Sequence, residues 1–438
     1  MLWLRYTGRS RRATEDGGSV LWLCYTGHIP VLRNGLLMRD CWLMMGAMEL
    51  RIGVIGLGRR RYMAALAHQP ENDVYVTAVA DPRELHRTDF EKKIGAEVSF
   101  TADYREMLDL PELDAVIILS SDFLHEEHAT AALEAGKHVY LEKPMAITIE
   151  GCDRILETAR NTGRKVVVGH NMRHLETIRK MKDLVLEGAI GDVRSGWCRH
   201  FCCYGGDAYF KDWHAERDKS TSLLLQKACH DIDILHWLCD GATRRTTAMG
   251  NLTVYNKVQD RHSPEEYGDA DWSFDHWPPH EQTGLNPVID VEDLSMMLME
   301  LDNGVLCSYE QCHYTPDGWR NYTIIGTEGR IENLGDVPGE STVRLWNRRG
   351  HYVPEGNQSF VIPEAEGGHG GADPRIIDEF IRHVREDGPI TTSPLEARAS
   401  VAAGCAATHS LRNGNIPVDI SPVPAETVEY FAKTSGLD

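Results

Sequence analysis

From Leu50 onward, apolar residues come in short runs separated by stretches of helical spacing. Leu50 to Ile55, Val74 to Ala80, Ala115 to Leu119, His138 to Leu141 and Val166 to Val168 are mostly apolar and rich in β-branched residues. Such runs, with little polar alternation, read as strands buried on both faces. Helix-like segments, among them Tyr62 to His68 and an alanine-rich stretch ending at Ala135, lie between them. Strands and helices in alternation predict a doubly wound parallel α/β sheet, a Rossmann arrangement, over residues 48–170.

The pattern changes after 170. Candidate strands at 192–204, 245–256, 292–301, 305–314, 321–326 and 342–347 alternate polar and apolar positions, as antiparallel strands with one wet face do. Asp302-Asn303-Gly304 sits between two of them as a hairpin turn. Helices are predicted near 373–386 and 394–411, the second opening on Ser393-Pro394 with Glu396 as a capping box. Residues 171–438 are therefore expected to form an α+β domain with a predominantly antiparallel open sheet. Residues 257–287 read as a long acidic insertion holding Trp272, Trp277, His262, His276 and His280. It is either a substrate lid, a subunit-crossing loop or solvated decoration.

Residues 1–47 carry neither pattern. Leu2-Trp3-Leu4-Arg5-Tyr6-Thr7-Gly8 nearly repeats nineteen residues later, from Leu21 to Gly27, without the apolar core of a signal peptide. The segment is expected to be a poorly ordered upstream extension, with the functional chain starting at Met48.

Composition narrows the partners. A net charge of −20 over 438 residues argues against nucleic acid and anionic membrane, both of which need a basic footprint. The eleven cysteines include no C-x-x-C pair, which suits reduced thiols in a cytoplasmic protein and gives no expectation of a metal.

The chemistry-bearing residues fall where the predicted strands end. Gly56-Leu57-Gly58 follows the first strand; Gly56 permits a tight turn and Gly58 lets backbone approach a pyrophosphate, beside Arg59 and Arg60. Arg61 stands where the usual fingerprint has a third glycine. Asp81 ends the second strand twenty-three residues after Gly58, a spacing that suits hydrogen bonds to an adenosine ribose and favours NAD over NADP. It reads equally as a turn residue before Pro82. Ser120 and Ser121 follow the third predicted strand, and Glu142-Lys143-Pro144 follows the fourth.

These blocks resemble the Gfo/Idh/MocA family of oxidoreductases, which takes in glucose–fructose oxidoreductase and inositol dehydrogenases. The resemblance rests on Gly53 to Gly58, Ala80-Asp81, the Ser120 to His125 loop, Ala135 to Val139 leading to Glu142-Lys143-Pro144, Asn171-Met172-Arg173, Glu187 to Gly191, and His230 with Asp233. It implies an NAD cofactor, with NADP as the alternative, held by Gly56, Gly58, Arg59, Arg60, Asp81, Ser120, Ser121, His125 and Glu142. It makes Lys143 the general base that takes the hydroxyl proton as hydride leaves carbon. Lysine serves so when nearby cations or desolvation lower its pKa.

Two departures from the family pattern matter. The loop that usually reads T-P-N-x-x-H is Ser120-Ser121-Asp122-Phe123-Leu124-His125, without the proline. The helix that usually reads D-x-G-x-H-x-x-D begins at Gln226 instead of aspartate, while His230 and Asp233 match. His230 is the second catalytic candidate, and Arg173, Trp213, Gln226 and Lys227 are candidate substrate contacts. Lys227 either adds a cation to the site or forms an i,i+4 ion pair with Asp231.

The implied function is hydride transfer between nicotinamide and a hydroxyl or keto carbon of a sugar, inositol or glycoside. A redox-neutral enzyme that retains its NAD, and a non-catalytic sensor of the same fold, are the other readings. The expected partners are a small sugar or polyol and further copies of the chain, as a homodimer or homotetramer.

Overall fold

The structure is a computed structural model that describes residues 49–263 and 276–435. The expectation for residues 1–47 lies outside these residues, as does Trp272.

Six parallel strands make the first sheet: β1 (Leu50–Ile55), β2 (Val74–Ala80), β3 (Ser99–Thr101), β4 (Ala115–Ile118), β5 (His138–Leu141) and β6 (Val166–Val168), in the order β3-β2-β1-β4-β5-β6. Helices α1 (Arg61–Leu66), α2 (Arg87–Ile94), α3 (Tyr104–Leu108), α4 (His125–Glu134) and α5 (Ile149–Thr162) connect them. Five of the six strands coincide with the apolar runs of the sequence. The register aligns their ends: Ile55 pairs with Ala80 and with Ile118, Ile118 with Leu141, and Leu141 with Val168. Gly56, Asp81, Leu119 and Glu142 each follow directly, so the carboxyl ends of the parallel strands collect the glycine turn, Asp81, the Ser120-Ser121 loop and Glu142-Lys143-Pro144. Those ends are where doubly wound sheets bind ligands.

The second sheet has nine strands. Before it come α6 (Glu176–Leu186), and β7 (Val193–Phe201) enters the sheet; α7 (Gly205–Tyr209), α8 (Arg217–Ser220), α9 (Leu223–Gln226) and α10 (Ala228–Cys239) follow. Strands β8 (Thr243–Asn251), β9 (Leu294–Leu301), β10 (Leu306–Cys312), β11 (Trp319–Gly326), β12 (Arg330–Leu334), β13 (Thr342–Trp346) and β14 (Gln358–Val361) continue it. After α11 (Gly368–Glu386) and α12 (Pro394–Arg412), β15 (Val418–Asp419) closes the order β14-β13-β12-β11-β7-β10-β9-β8-β15, and α13 (Ala425–Thr434) ends the described chain. Only β7 and β10 run parallel, because β7 is joined to the rest through the helical excursion from α7 to α10. The Asn303-Gly304 turn is present with Gly304 at φ 84, and Ser393 and Glu396 form the capping box.

One face of this sheet packs on α6, α10 and α12 through Met181, Ile232, Leu235, Met297, Tyr309 and Ala403. The other face exposes Met249, Met296, Leu298 and Leu306, with Met249 directly opposite Met296. Self-association of the expected kind would have apolar surface to cover there.

The first sheet does not cover itself. Ile376, Ile377, Phe380 and Ile381 of α11 pack with Ile52, Val54 and Ile117 on one face. Ala397 and Val401 of α12 and Phe431 of α13 join the core on the other. The chain after 170 thus returns to complete the sheet begun before it, and both helices carry polar residues back to the site.

His236 of α10 supplies a test of this buried framework. Its Nε2 accepts from Thr243 N at 3.1 Å, and burial pushes its pKa down to about 4. The unfolded chain, where the value is an ordinary 6.5, takes up the proton first, so this contribution is full above pH 6.5 and is lost as pH falls toward 4. Urea denaturation at about pH 7 and about pH 4.5 should show a loss on the order of 2 kcal/mol from this group. A His236→Gln variant should lose correspondingly less over the same interval; an equal loss would show that His236 does not titrate in this way.

Candidate active site

The aligned strand ends and the α7–α10 excursion enclose a cavity of about 940 Å³, at the upper end of the size range for small-molecule and cofactor sites. One end is lined by Gly58, Arg59, Arg60, Arg83 and the Ser120-Ser121 loop, the other by Lys143, Trp213, Gln226, Lys227 and His230.

The glycine turn is built to stay open. Gly56 has φ 94, and a Cβ there would lie 2.9 Å from Ser120 N, so only glycine fits. A Cβ on Gly58 would meet nothing within 4 Å, leaving its backbone accessible from the cleft. Asp81 braces this turn: its Oδ2 accepts from Leu57 N and its Oδ1 from Arg83 N, both at 2.8 Å. Arg61, in place of the third glycine, folds back to donate to the Gly58 carbonyl at 3.1 Å.

Arg60 organises the middle of the cleft. It donates to Glu142 at 2.6 and 3.0 Å and lies 3.4 Å from Asp373 of α11. Burial works against its charge, but the two carboxylates outweigh that and hold the guanidinium charged. Asp373 also accepts from Tyr62 at 2.9 Å and from Asn171 at 2.6 Å, and bonds His369 at 2.8 Å. Residues 369–371 of α11 are non-helical with positive φ, which brings His369 to the cavity wall. Arg59 pairs with Asp212 at 3.4 Å.

Glu142 leads into Lys143, whose bond to Pro144 is cis. The Lys143 ammonium donates to the Gln226 carbonyl at 3.1 Å, where α9 ends and α10 is about to begin. His230 of α10 faces the same space. Burial first, then the charges of Lys143 and neighbouring cations, keep its imidazole well below the usual range and neutral. Asp122 sits in the loop opposite; burial pushes its carboxyl up, opposed by His125, Lys143 and His214.

Trp213 meets Phe123 edge-on at 5.9 Å and stacks on His214 at 3.7 Å. His214 is bonded to Asp212. Lys227 stands over the rings of Tyr204 and Tyr209, at 5.6 and 5.7 Å. The expected alternative for Lys227, an ion pair with Asp231, is not formed. Asp231 points into the core, bonded to His200, Tyr309 and Tyr322 and 3.2 Å from Arg320.

The structure moves two candidates away from the ligand space. Arg173 is buried beneath it, donating to Asp233 at 2.6 and 2.9 Å and to Glu396 at 2.9 Å; it locks α10 and α12 together instead of meeting substrate. Asp233 is committed to that pair. His125 is likewise fully buried, bridging the Ser120 and Pro144 carbonyls at 3.0 and 2.7 Å, so it supports the two loops from below. The Ser120 hydroxyl is bonded to His128 at 2.8 Å. Asp122, Asn171, Tyr204, Tyr209 and His369 line the cavity without having been singled out as contacts. Asn171 and Asp122 lay inside matched motifs; the tyrosines and His369 had no local signal.

The described ends of the 257–287 insertion form part of the wall's backing. Val258 and Leu285 are buried with Tyr209 and Phe210, and Gln282 donates to Asp207 at 3.1 Å. The nine cysteines among the described residues are free, and no helix among these residues is long and apolar enough to cross a membrane.

An open glycine turn, a carboxylate at the second strand tip and a lysine at the end of the fifth strand form the site of a dinucleotide-dependent enzyme. Comparison with known proteins agrees. Residues 50–170 match the oxidoreductase family NAD-binding Rossmann fold, and residues 182–420 match that family's C-terminal alpha/beta domain. The chain belongs to the Gfo/Idh/MocA oxidoreductase family, and its N-terminal domain is that family's NAD-binding Rossmann domain. It is 34% identical over 370 residues to the myo-inositol 2-dehydrogenase of Thermotoga maritima, covering 83% of this chain and 96% of that one. It is 26% identical over 379 residues to the levoglucosan dehydrogenase of Pseudarthrobacter phenanthrenivorans, covering 79% and 92%. Among solved structures, a levoglucosan dehydrogenase in complex with NADH and levoglucosan shares the fold with a TM-score of 0.68 at 22% identity, over 85% of this chain and 99% of that chain.

The reassignment of Arg173 is directly checkable. Arg173→Met would leave the Asp233 carboxylate buried without its partner, a change that costs about 3–5 kcal/mol in comparable pairs. Urea denaturation should register that loss. A variant of wild-type stability with a raised KM would return Arg173 to substrate binding.

Proposed function

We propose that the protein transfers a hydride between NAD and a hydroxyl-bearing carbon of a sugar, inositol or glycoside, with Lys143 handling the hydroxyl proton. The observation that carries this reading is the convergence of Lys143 and His230 on one cavity whose far end is the open glycine turn. When bound, the nicotinamide supplies the redox chemistry, taking up or giving back the hydride. The protein's own contribution is position, proton transfer and charge.

Gly58 offers accessible backbone to the pyrophosphate. Asp81 has carboxylate lone pairs left beyond the two bonds to Leu57 and Arg83, and these suit an adenosine ribose hydroxyl. Of the three cations that would favour NADP, Arg59 and Arg60 are tied to carboxylates, which supports NAD, while Arg83 lines the same end of the cavity. Ser121 and Trp213 bound the space between the cofactor end and the substrate end.

At the reacting carbon, Lys143 Nζ is tethered by the Gln226 carbonyl, and the Lys143 backbone N–H donates to Glu142, whose carboxylate is fixed by Arg60. As the neutral amine, Lys143 can take the proton of a substrate hydroxyl that is also hydrogen-bonded to the neutral His230 imidazole; as the ammonium it gives that proton back in the reverse reaction. Trp213, Tyr204 and Tyr209 present aromatic faces of the kind that accommodate sugar and cyclitol rings. The names of two relatives, myo-inositol 2-dehydrogenase and levoglucosan dehydrogenase, support a polyhydroxylated ring.

Lys143→Met tests the reading. It should lower kcat by about 10²–10⁴-fold, the contribution of a positioned acid or base. NADH affinity, followed by nicotinamide fluorescence, should change by no more than a few fold. Undiminished NADH formation in the variant would remove Lys143 from the chemistry.

A further inference from the structure

Most charges around the substrate end of the cleft are matched by an opposite charge; among the described residues Lys143 and Lys227 are not. Glu142 is paired with Arg60 at 2.6 Å, and Asp212 with Arg59 at 3.4 Å and with His214. Lys219 is paired with Glu216 at 2.9 Å. Lys143, the proton-handling residue, has no carboxylate partner among the described residues, but its ammonium is held by the Gln226 carbonyl at 3.1 Å. No carboxylate among the described residues lies within ion-pair distance of the Lys227 ammonium. The acidic residue one turn along, Asp231, is fully buried and engaged with His200, Arg320, Tyr309 and Tyr322.

The side chains nearest the Lys227 ammonium are neutral. Tyr204 and Tyr209 offer ring faces at 5.6 and 5.7 Å, a contact that attracts the cation without neutralising its charge. Gln226, where the family pattern has aspartate, is an uncharged amide whose buried Oε1 has no hydrogen-bond partner. The helix start has therefore exchanged a negative charge for a neutral group, with a cation next to it. Lys227, Gln226, His230 and Lys143 all line the one cavity.

We propose that the substrate is an acidic sugar or cyclitol, a polyhydroxylated ring whose carboxylate pairs with Lys227 while a ring hydroxyl meets Lys143. This rests on the dehydrogenase reading above and specifies its substrate class. A carboxylate fits better than a phosphate. One ammonium can match a single negative charge, whereas a phosphate calls for several converging donors, arginine above all, and Arg320 is already held by Asp231. An aspartate at 226 would set a second negative charge against the substrate carboxylate, which the neutral Gln226 avoids.

The test uses the full chain with saturating NAD and ring-matched pairs that differ only in a carboxylate or a hydroxymethyl group: glucuronate with glucose, galacturonate with galactose. The acidic member of at least one pair should have a kcat/KM at least about tenfold above its neutral partner. Lys227→Gln should cut the acidic value by about 30–100-fold, the range expected when one member of a desolvated charge pair is removed, and bring the ratio close to one. NADH fluorescence on the same variant reports that its cofactor cleft is intact. Equal or better turnover of the neutral members, with both members of a pair affected alike by Lys227→Gln, would overturn this inference and leave the dehydrogenase standing. A preference for a sugar phosphate over the matching acid would also overturn it. Failure to oxidise any polyhydroxylated ring, acidic or neutral, would overturn the dehydrogenase reading and this inference together.

Discussion

Arg60 is held between two carboxylates that come from opposite ends of the chain, Glu142 and Asp373. Taking any of these charges out of water costs several kcal/mol unless its partner is in place, so the glycine turn, the Glu-Lys-Pro turn and α11 must assemble together. Asn171 and Tyr62 complete the group through Asp373. Glu142 precedes Lys143 directly, and fixing the one orients the other. The lysine's position is therefore a consequence of a buried charge network whose members span more than three hundred residues of sequence.

A second network performs the same service for the substrate side. Arg173 joins Asp233 of α10 to Glu396 at the start of α12, and the hydroxyls of Ser222 and Thr408 bond at 2.6 Å. Helices α9 and α10 are thus fastened from below, and their upper side is left to Gln226, Lys227 and His230. The histidine and the aspartate of the family motif have different tasks, one facing the ligand and the other holding the helix that carries it. Depressing the His230 pKa by burial and surrounding cations gives the site a neutral hydrogen-bonding group next to its lysines, rather than another fixed charge.

Most of the fold was legible because strands of the parallel sheet are buried on both faces and read as uninterrupted apolar runs. Strand β3 is only Ser99-Phe100-Thr101, half exposed, and carries no such run. Strand β12 reads Arg-Ile-Glu-Asn-Leu, and its buried Asn333 hides the alternation; the edge strand β14 is largely exposed. Lys143, Gly58, Gln226 and His230 could be found because strand ends and a helical motif announce them locally. Arg173 was misplaced because its partner lies sixty residues away, and sequence spacing does not reveal that a cation inside a recognisable motif will be consumed by a buried carboxylate. Tyr204, Tyr209 and His369 reach the cavity through a helical excursion and a glycine-rich kink, neither of which has a periodic signature.

In the proposed reaction a hydride moves directly between a substrate carbon and NAD in this cleft. A single-turnover experiment with NAD and a substrate deuterated at the oxidised carbon measures that transfer, with the reduced cofactor isolated and analysed by mass spectrometry. Direct transfer puts deuterium on the nicotinamide and makes the reaction slower than with the unlabelled substrate. Oxidised product formed with unlabelled NADH, or formed without any reduced cofactor, would contradict it.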